Sequence, residues 1–325
     1  MYVVFYHLRF EDLFSKTSRL NHFFHSGYTG VTLFFVLSGF ILAYNYPVVT
    51  ARVRFWISRF ARIYPVYLLA FLIMLPSALQ LLMQRHNPRL WMGVPESLFL
   101  LQAWDPKTSF MINGPAWTLS VEAFFYLVFP FILLPLTRMS RRMIALLLGI
   151  DLLIAFIPTL ATDPAWRIGW TTVFLGALPL LRLGTFVVGI LTGARYRSKG
   201  PAGRWVLWTG MAMTLLLLVQ DPPLYLSSVR DMLLSLSFGA MVYGLANVSW
   251  VGLTHPLARL LGEISYGVYI LQIPVSWVMR KTGEVLLHRN LSNIAPLYIA
   301  VLLVISYLSY RFFETPARMW IRRML

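Results

Sequence analysis

GYTGVTLFFVLSGFILAYNY, residues 27–46, runs for twenty positions without one charged side chain. An α-helix rises about 1.5 Å per residue, so a run of this length can cross the roughly 30 Å hydrocarbon core of a bilayer. Within lipid each backbone N–H and C=O must be satisfied by the segment itself or by a closed barrel. A barrel would show short alternating segments. Here the apolar residues come in unbroken blocks, and the expected fold class is all-α, a polytopic bundle of transmembrane helices.

Similar blocks follow at 64–84, 116–136, 143–161, 181–195, 203–220, 228–247, 264–281 and 294–313. The block 170–195 is ambiguous, because it holds Pro179 and Arg182, and the short piece 96–104 reads as re-entrant or interfacial. The chain opens on MYVVFYHLRF, residues 1–10, six apolar or aromatic residues before His7. That stretch reads as the outer end of a first helix truncated on its N-terminal side, for about ten spans with both termini cytoplasmic. The dense basic cluster Arg52, Arg54, Arg59 and Arg62 fixes the orientation, since short cytoplasmic loops collect Lys and Arg.

Composition agrees with the pattern. Of 325 residues, 58% are hydrophobic and 12% charged, with a mean hydropathy of +0.68. Soluble domains carry about 25% charged residues. The net charge of +16 is interspersed between apolar blocks. It therefore reads as a topology signal and a contact to anionic lipid or ligand, with no nucleic-acid partner. The chain has no cysteine, which excludes disulfides, thiol nucleophiles and thiolate metal sites. No cleavable signal peptide, internal repeat or separate soluble domain is visible, so residues 1–325 read as one membrane domain.

Charge inside a span marks a site or a pathway by default. NGPAWTLSVEAFFYLVFP, residues 113–130, turns at Asn113-Gly114-Pro115 and then carries Glu122 about two turns into a helix. Thr118, Glu122 and Tyr126 are spaced to share one face, with Trp117 and Ser120 beside it. A carboxylate there must be paired, hydrogen-bonded or protonated, and it serves either chemistry or the locking of two helices. Ser38-Gly39 lies inside residues 27–46, where small residues usually permit close helix packing, and no G-x-S-x-G elbow accompanies it. RVRFWISRFARIYPVY, residues 52–67, puts Arg52, Arg59 and Arg62 near one face with Tyr64 at the membrane entrance. Such arginines either grip phosphates through paired charge-assisted hydrogen bonds or anchor lipid headgroups. LGEISYGVYILQ, residues 261–272, aligns Ser265, Tyr269 and Gln272 as a polar stripe suited to a tunnel or to interhelical hydrogen bonds. His22 and His25 lack a carboxylate or cysteine at ligand spacing, so no metal is expected. His86, His255 and His288 read as loop residues.

Six stretches together resemble the acyltransferase-3 family of bacterial integral-membrane O-acyltransferases. They are VVFYHL (3–8), GVTLFFVLSGFIL (30–42), RFWISRFARIYPVYLLA (54–70), GPAWTLSVEAFFYLVFP (114–130), LLGEISYGVYILQIPV (260–275) and YRFFETPAR (310–318). The resemblance implies a ten-helix protein that moves an acyl group, commonly acetyl, from acyl-CoA to a hydroxyl acceptor. The acceptor would be a cell-envelope glycan, a lipid or a secondary metabolite. It places the family's essential histidine on His7, its R-x-x-R motif on Arg59 and Arg62, and its W-x-L-x-x-E segment on Trp117, Leu119 and Glu122. The family also carries an arginine about ten residues before that histidine, a position this chain does not contain.

The chemistry expected of such a site is simple. A hydroxyl is a poor nucleophile at neutral pH, and neutral imidazole supplies the missing base. His7 would take the acceptor's proton, Glu122 would orient it or stabilise the imidazolium, and Arg59, Arg62, Arg52 and Tyr64 would hold the donor at the cytoplasmic side. Ser38, Trp117, Thr118, Ser120, Tyr126, Ser265, Tyr269 and Gln272 would line the route between. A transporter or flippase for lipid-linked sugars or small solutes is the rival reading, and it needs the same polar residues within the membrane.

Overall fold

The computed structural model describes residues 1–16, 18–85, 87–156, 176–200, 203–220, 226–248, 252, 255–287 and 294–323. Among them the secondary structure is helical, with no strand. The helices are α1 (Tyr2–His7), α2 (Arg19–His25), α3 (Gly30–Asn45), α4 (Arg52–Arg85), α5 (Pro88–Trp91), α6 (Gly93–Leu98) and α7 (Trp117–Arg138). Then come α8 (Arg141–Phe156), α9 (Leu183–Lys199), α10 (Trp205–Leu218), α11 (Ser227–Leu245), α12 (Pro256–Leu287) and α13 (Ala295–Ser309). A π-helical turn, Tyr310–Glu314, leads into α14 (Thr315–Arg323).

Every full span expected from the sequence coincides with a helix, although 157–161, His86 and His288 lie outside the described residues. Among the described residues, four helical stretches are long and apolar enough to cross a membrane: Arg19–Asn45, Arg52–Arg85, Gly114–Arg138 and Ala295–Arg323. The shorter α10 is apolar throughout. The other helices fall short for physical reasons. The 17-residue α9 is short of a full crossing and ends on Arg195, Arg197 and Lys199, while α11 carries Arg230 and Asp231 in its first turns. The outward surface is that of a membrane protein, with Leu72, Leu127, Phe131, Leu146, Leu153, Leu215 and Val304 exposed where a soluble protein would place polar groups.

The chain divides into two compact units, with the boundary inside α7 between Ala123 and Phe124. The first comprises Met1, Ala51–Ala123 and Ser249–Leu325. Its long element is α4, whose 34 residues reach about 51 Å and outrun the hydrocarbon core by several turns. The excess is the basic end. Pro65 and Pro76 sit inside the helix, and the apolar stretch after Arg62 packs Phe71, Met74 and Ala78 against Ile112, with Ile273 and Trp277 alongside. The Tyr266 hydroxyl donates to Ile63 O at 2.5 Å, tying α12 to α4, and Tyr64 donates to Leu98 O at 3.0 Å.

The second unit comprises Tyr2–Thr50 and Phe124–Val248. Its tightest crossing is α3 on α9. A Cβ on Gly39 would stand 2.9 Å from Ile190 N, and one on Gly189 would stand 3.0 Å from Phe40 N, so both backbones need the missing side chain. Phe125 stacks on Phe186 at 4.4 Å between ring centres, and Val36, Leu217, Leu218, Leu234 and Phe238 form a packed core.

Candidate active site

In the second unit His7 closes α1, and its position follows from the short helix. A side chain at the last position can fold back on the carbonyl one turn earlier, and His7 Nδ1 lies 3.0 Å from Val3 O. A carbonyl only accepts, so Nδ1 carries the hydrogen and Nε2 is the ring's acceptor nitrogen. The residue is exposed. Its ring packs edge-on against Tyr6 at 5.3 Å, and Tyr6 in turn meets Tyr28 at 5.7 Å and His25 at 6.1 Å. α1 can sit this close because the neighbouring turn offers Gly27, where a Cβ would come within 2.7 Å of Tyr6 Cβ. Glu11 lies 3.9 Å from His25 Nδ1.

Behind Tyr28 the unit buries charge. Arg230 donates to the Tyr28 hydroxyl, to Ser26 Oγ at 3.2 Å and to Gln220 O at 3.1 Å, and its guanidinium lies over the Tyr28 ring at 5.2 Å. The adjacent Asp231 pairs with Arg182 at 2.6 Å, with side chains only 5% and 13% exposed. These two pairs went unrecognised in the sequence, although three charges inside the blocks 181–195 and 228–247 were the signal that could have found them. Ser38, half-buried, sits beside the Gly39 crossing.

The first unit holds the Glu122 cluster. Asn113-Gly114-Pro115 makes the expected turn, a 3-10 turn over Gly114–Ala116 follows, and α7 starts at Trp117. Thr118 Oγ1 and Tyr269 OH both lie within reach of Pro115 O, at 2.9 and 3.1 Å, and 3.1 Å from each other. Asn113 donates to Ile270 O at 3.0 Å, Gln102 to Ala116 O at 3.0 Å, and Ser120 Oγ accepts from Ala103 N at 3.3 Å. Glu122 is 3% exposed, one turn beyond Thr118 and within electrostatic reach of the Tyr269 phenol. Trp117 packs edge-on against Phe110. Tyr126, one turn past Glu122, is buried as well and belongs to the second unit.

The structure thus brings Thr118, Ser120, Glu122 and Tyr269 into one neighbourhood. Gln272 is buried, donates to Tyr269 O at 2.8 Å and offers its own carbonyl to Tyr298. Ser265 is not part of it: the residue is exposed, and its hydroxyl turns to Gly262 O at 2.7 Å. Sequence spacing put Ser265 on the Gln272 face, but Ser265 is exposed two turns before the buried Gln272.

At the basic end of α4, Arg52 and Arg62 are exposed and Arg59 is half-buried, with its guanidinium 6.0 Å from the Phe55 ring centre. Arg59 and Arg62 are one turn apart on α4. Buried Glu314, from the π-helical turn, faces Arg62 and Arg318. Tyr64 stacks on Phe60 at 4.4 Å.

With this geometry in hand, the similarities to known proteins are informative. A family model described as "Acyltransferase domain" matches residues 1–311. The chain is 28% identical to "Acyltransferase MdmB" of Streptomyces mycarofaciens, over 79% of this chain and 70% of that protein. It is 24% identical to "Peptidoglycan O-acetyltransferase OatA" of Listeria monocytogenes, over 97% of this chain but only 53% of OatA, about half its length. No solved structure matches. The chain belongs to the acyltransferase-3 family, and its expected family membership is thereby shown.

Proposed function

We propose that this family member is a multi-pass enzyme of the cell's plasma membrane, with about ten spans and both termini cytoplasmic. It moves an acyl group, acetyl in the simplest case, from acyl-CoA to a hydroxyl on a glycan, a lipid or a small molecule. The observation that carries the mechanism is the tautomer of His7, which the Val3 carbonyl holds with Nε2 as acceptor.

In the reaction the acceptor hydroxyl gives its proton to His7 Nε2 as its oxygen attacks the thioester carbonyl. The C–O bond forms, the C–S bond breaks, and the imidazolium returns the proton to the departing CoA thiolate. General-base help of this kind is worth about 10²–10⁴ in rate. The end of α1 also suits the imidazolium that forms in between, because a helix C-terminus favours positive charge. Arg59, Arg62 and Arg52 hold the CoA phosphates at the basic end of α4, with Tyr64 beside them. Glu122 is the carboxylate of the first unit assigned to the reaction.

The test uses the full chain in lipid nanodiscs, following CoA release from acetyl-CoA with a thiol reagent and acyl transfer by mass spectrometry of envelope glycans and lipids. His7→Ala is expected to lower turnover at least a hundredfold with the fold intact. Wild-type turnover in that variant would sink the proposal. Transport of a solute without CoA release would favour the rival reading.

A further inference from the structure

Arg230, near the start of α11, is 6% exposed and forms no ion pair among the described residues, since the neighbouring Asp231 is taken by Arg182. Its acceptors are neutral: the Tyr28 hydroxyl, Ser26 Oγ at 3.2 Å and Gln220 O at 3.1 Å. A buried cation with only neutral acceptors is an expensive way to join helices. Two of the three acceptors belong to one 3-10 turn, Ser26–Thr29, and they flank Gly27. That turn is the seat of α1. A Cβ on Gly27 would stand 2.7 Å from Tyr6 Cβ and 2.8 Å from Tyr2 O, and one on Gly30 would stand 2.9 Å from Val3 Cγ2. Tyr6 also meets the Tyr28 ring at 5.7 Å, and the Tyr2 hydroxyl donates to Phe23 O. The face of α1 made by Tyr2, Val3 and Tyr6 therefore rests on the turn that Arg230 grips, and the carbonyl of Val3 is the one that holds His7 Nδ1.

We propose that Arg230 is the positioning residue of His7: by gripping Ser26 and Tyr28 it fixes the turn that seats α1, and so fixes which ring nitrogen of His7 is the acceptor. The proposal rests on the acyl-transfer reading of His7.

Arginine suits this role where lysine would not. Its planar fork reaches two side chains and a carbonyl from one head group, whereas an ammonium has no fixed directions. The guanidinium also lies over the Tyr28 ring at 5.2 Å, so the ring and the hydroxyl of Tyr28 are both held. The turn needs holding, because α2 ends at His25 and α3 begins at Gly30, and a 3-10 stretch between two α-helices is a natural hinge. Without Arg230, Ser26 and Tyr28 lose their common donor, the turn relaxes, and Gly27 no longer presents its bare backbone to Tyr6. His7 then leaves the Val3 carbonyl and samples both neutral tautomers. The form with hydrogen on Nε2 donates where the reaction needs an acceptor. A histidine base held in the wrong tautomer loses orders of magnitude in rate.

The experiment is magic-angle-spinning ¹⁵N NMR of the full chain, labelled at histidine and held in nanodiscs, alongside CoA release from acetyl-CoA. The His7 signals are identified by their absence in His7→Ala. Wild type is expected to show one His7 tautomer, with hydrogen on Nδ1. Arg230→Gln is expected to show both neutral tautomers and to lower kcat roughly tenfold or more. KM for acetyl-CoA should stay as in wild type, because the arginines assigned to the donor lie in the other unit. Tyr28→Phe removes only the oxygen that Arg230 grips and leaves the ring and the buried charge in place. It should shift the His7 signals the same way, with a smaller loss of kcat, and it carries the test should Arg230→Gln fail to fold. Mixed tautomers in wild type, His7 signals unaltered in Tyr28→Phe, or a fall in turnover of Arg230→Gln with its His7 signals unaltered would each overturn the proposal. His7→Ala separates the two readings. Lost CoA release there, with His7 signals unaltered in Tyr28→Phe, removes the positioning role and keeps the base. Retained CoA release in His7→Ala removes the base, whatever the His7 signals of the other variants show.

Discussion

The Thr118–Tyr269 knot of the first unit and the Arg182–Asp231 pair of the second both bury polar groups among apolar helices, and they do so on opposite terms. In the knot, Thr118, Tyr269, Asn113 and Gln102 turn to backbone carbonyls within 3.1 Å. The space left nearby, lined by Tyr67, Gln102 and Asn113, is about 10 Å³, room for one water. In the pair, full charges border a cavity of about 160 Å³. Each region keeps buried oxygens with no hydrogen-bond partner among the described residues, Asn113 Oδ1 and Gln102 Oε1 in the knot and Asp231 Oδ1 in the pair. Burial of polarity alone therefore does not mark a ligand site in a membrane helix bundle. What separates the two regions is charge and space.

The comparison can be broken most directly at the ion pair. Arg182→Met strands a buried carboxylate and should cost about 3–5 kcal/mol of stability, whereas Arg182→Met with Asp231→Leu should recover most of it. Unfolding in detergent micelles reads both, and a single variant as stable as wild type would show that the pair is solvated. Glu122→Gln comes next. It keeps shape but removes charge, and should lower turnover at least tenfold, about 1.4 kcal/mol, at unchanged melting temperature. Full turnover would reduce Glu122 to a hydrogen-bonding residue of the knot. Tyr269→Phe removes one donor from Pro115 O and one neighbour from Thr118, and should cost about 0.5–1.5 kcal/mol in the same unfolding assay, as interhelical hydrogen bonds in membranes do. A loss of 3 kcal/mol or more would put the knot in the same class as the ion pair. Ser265→Ala should change neither stability by more than about 0.5 kcal/mol nor turnover. A clear loss of turnover there would return Ser265 to the substrate route.

Much of the fold was legible because helices in lipid leave a one-dimensional record: length and apolarity suffice to place α3, α7 and α13 to within a few residues. The Glu122 segment was legible for the same reason, since a carboxylate inside residues 116–136 stands out. The crossing at Gly39 was half legible: the small residue was visible, while Gly189 as its partner was not. The Arg182–Asp231 pair was hidden because its members lie 49 residues apart in sequence, and charge counted span by span does not reveal pairing. The exposure of Ser265 was not legible for a different reason. Helical spacing fixes which residues share a face but not how far along the helix that face is covered.

The overlong α4 carries a last consequence. Its composition changes abruptly at Arg62–Ile63, from a basic half-rod to an apolar one, and that seam acts as a depth gauge for the bilayer. Tyr266 grips the seam at Ile63 O, which couples its depth to α12. A thicker membrane must tilt the helix upright or draw hydrocarbon over Arg62, and a thinner one must let it lean. The height of the arginines above the headgroups is therefore set in part by lipid chain length.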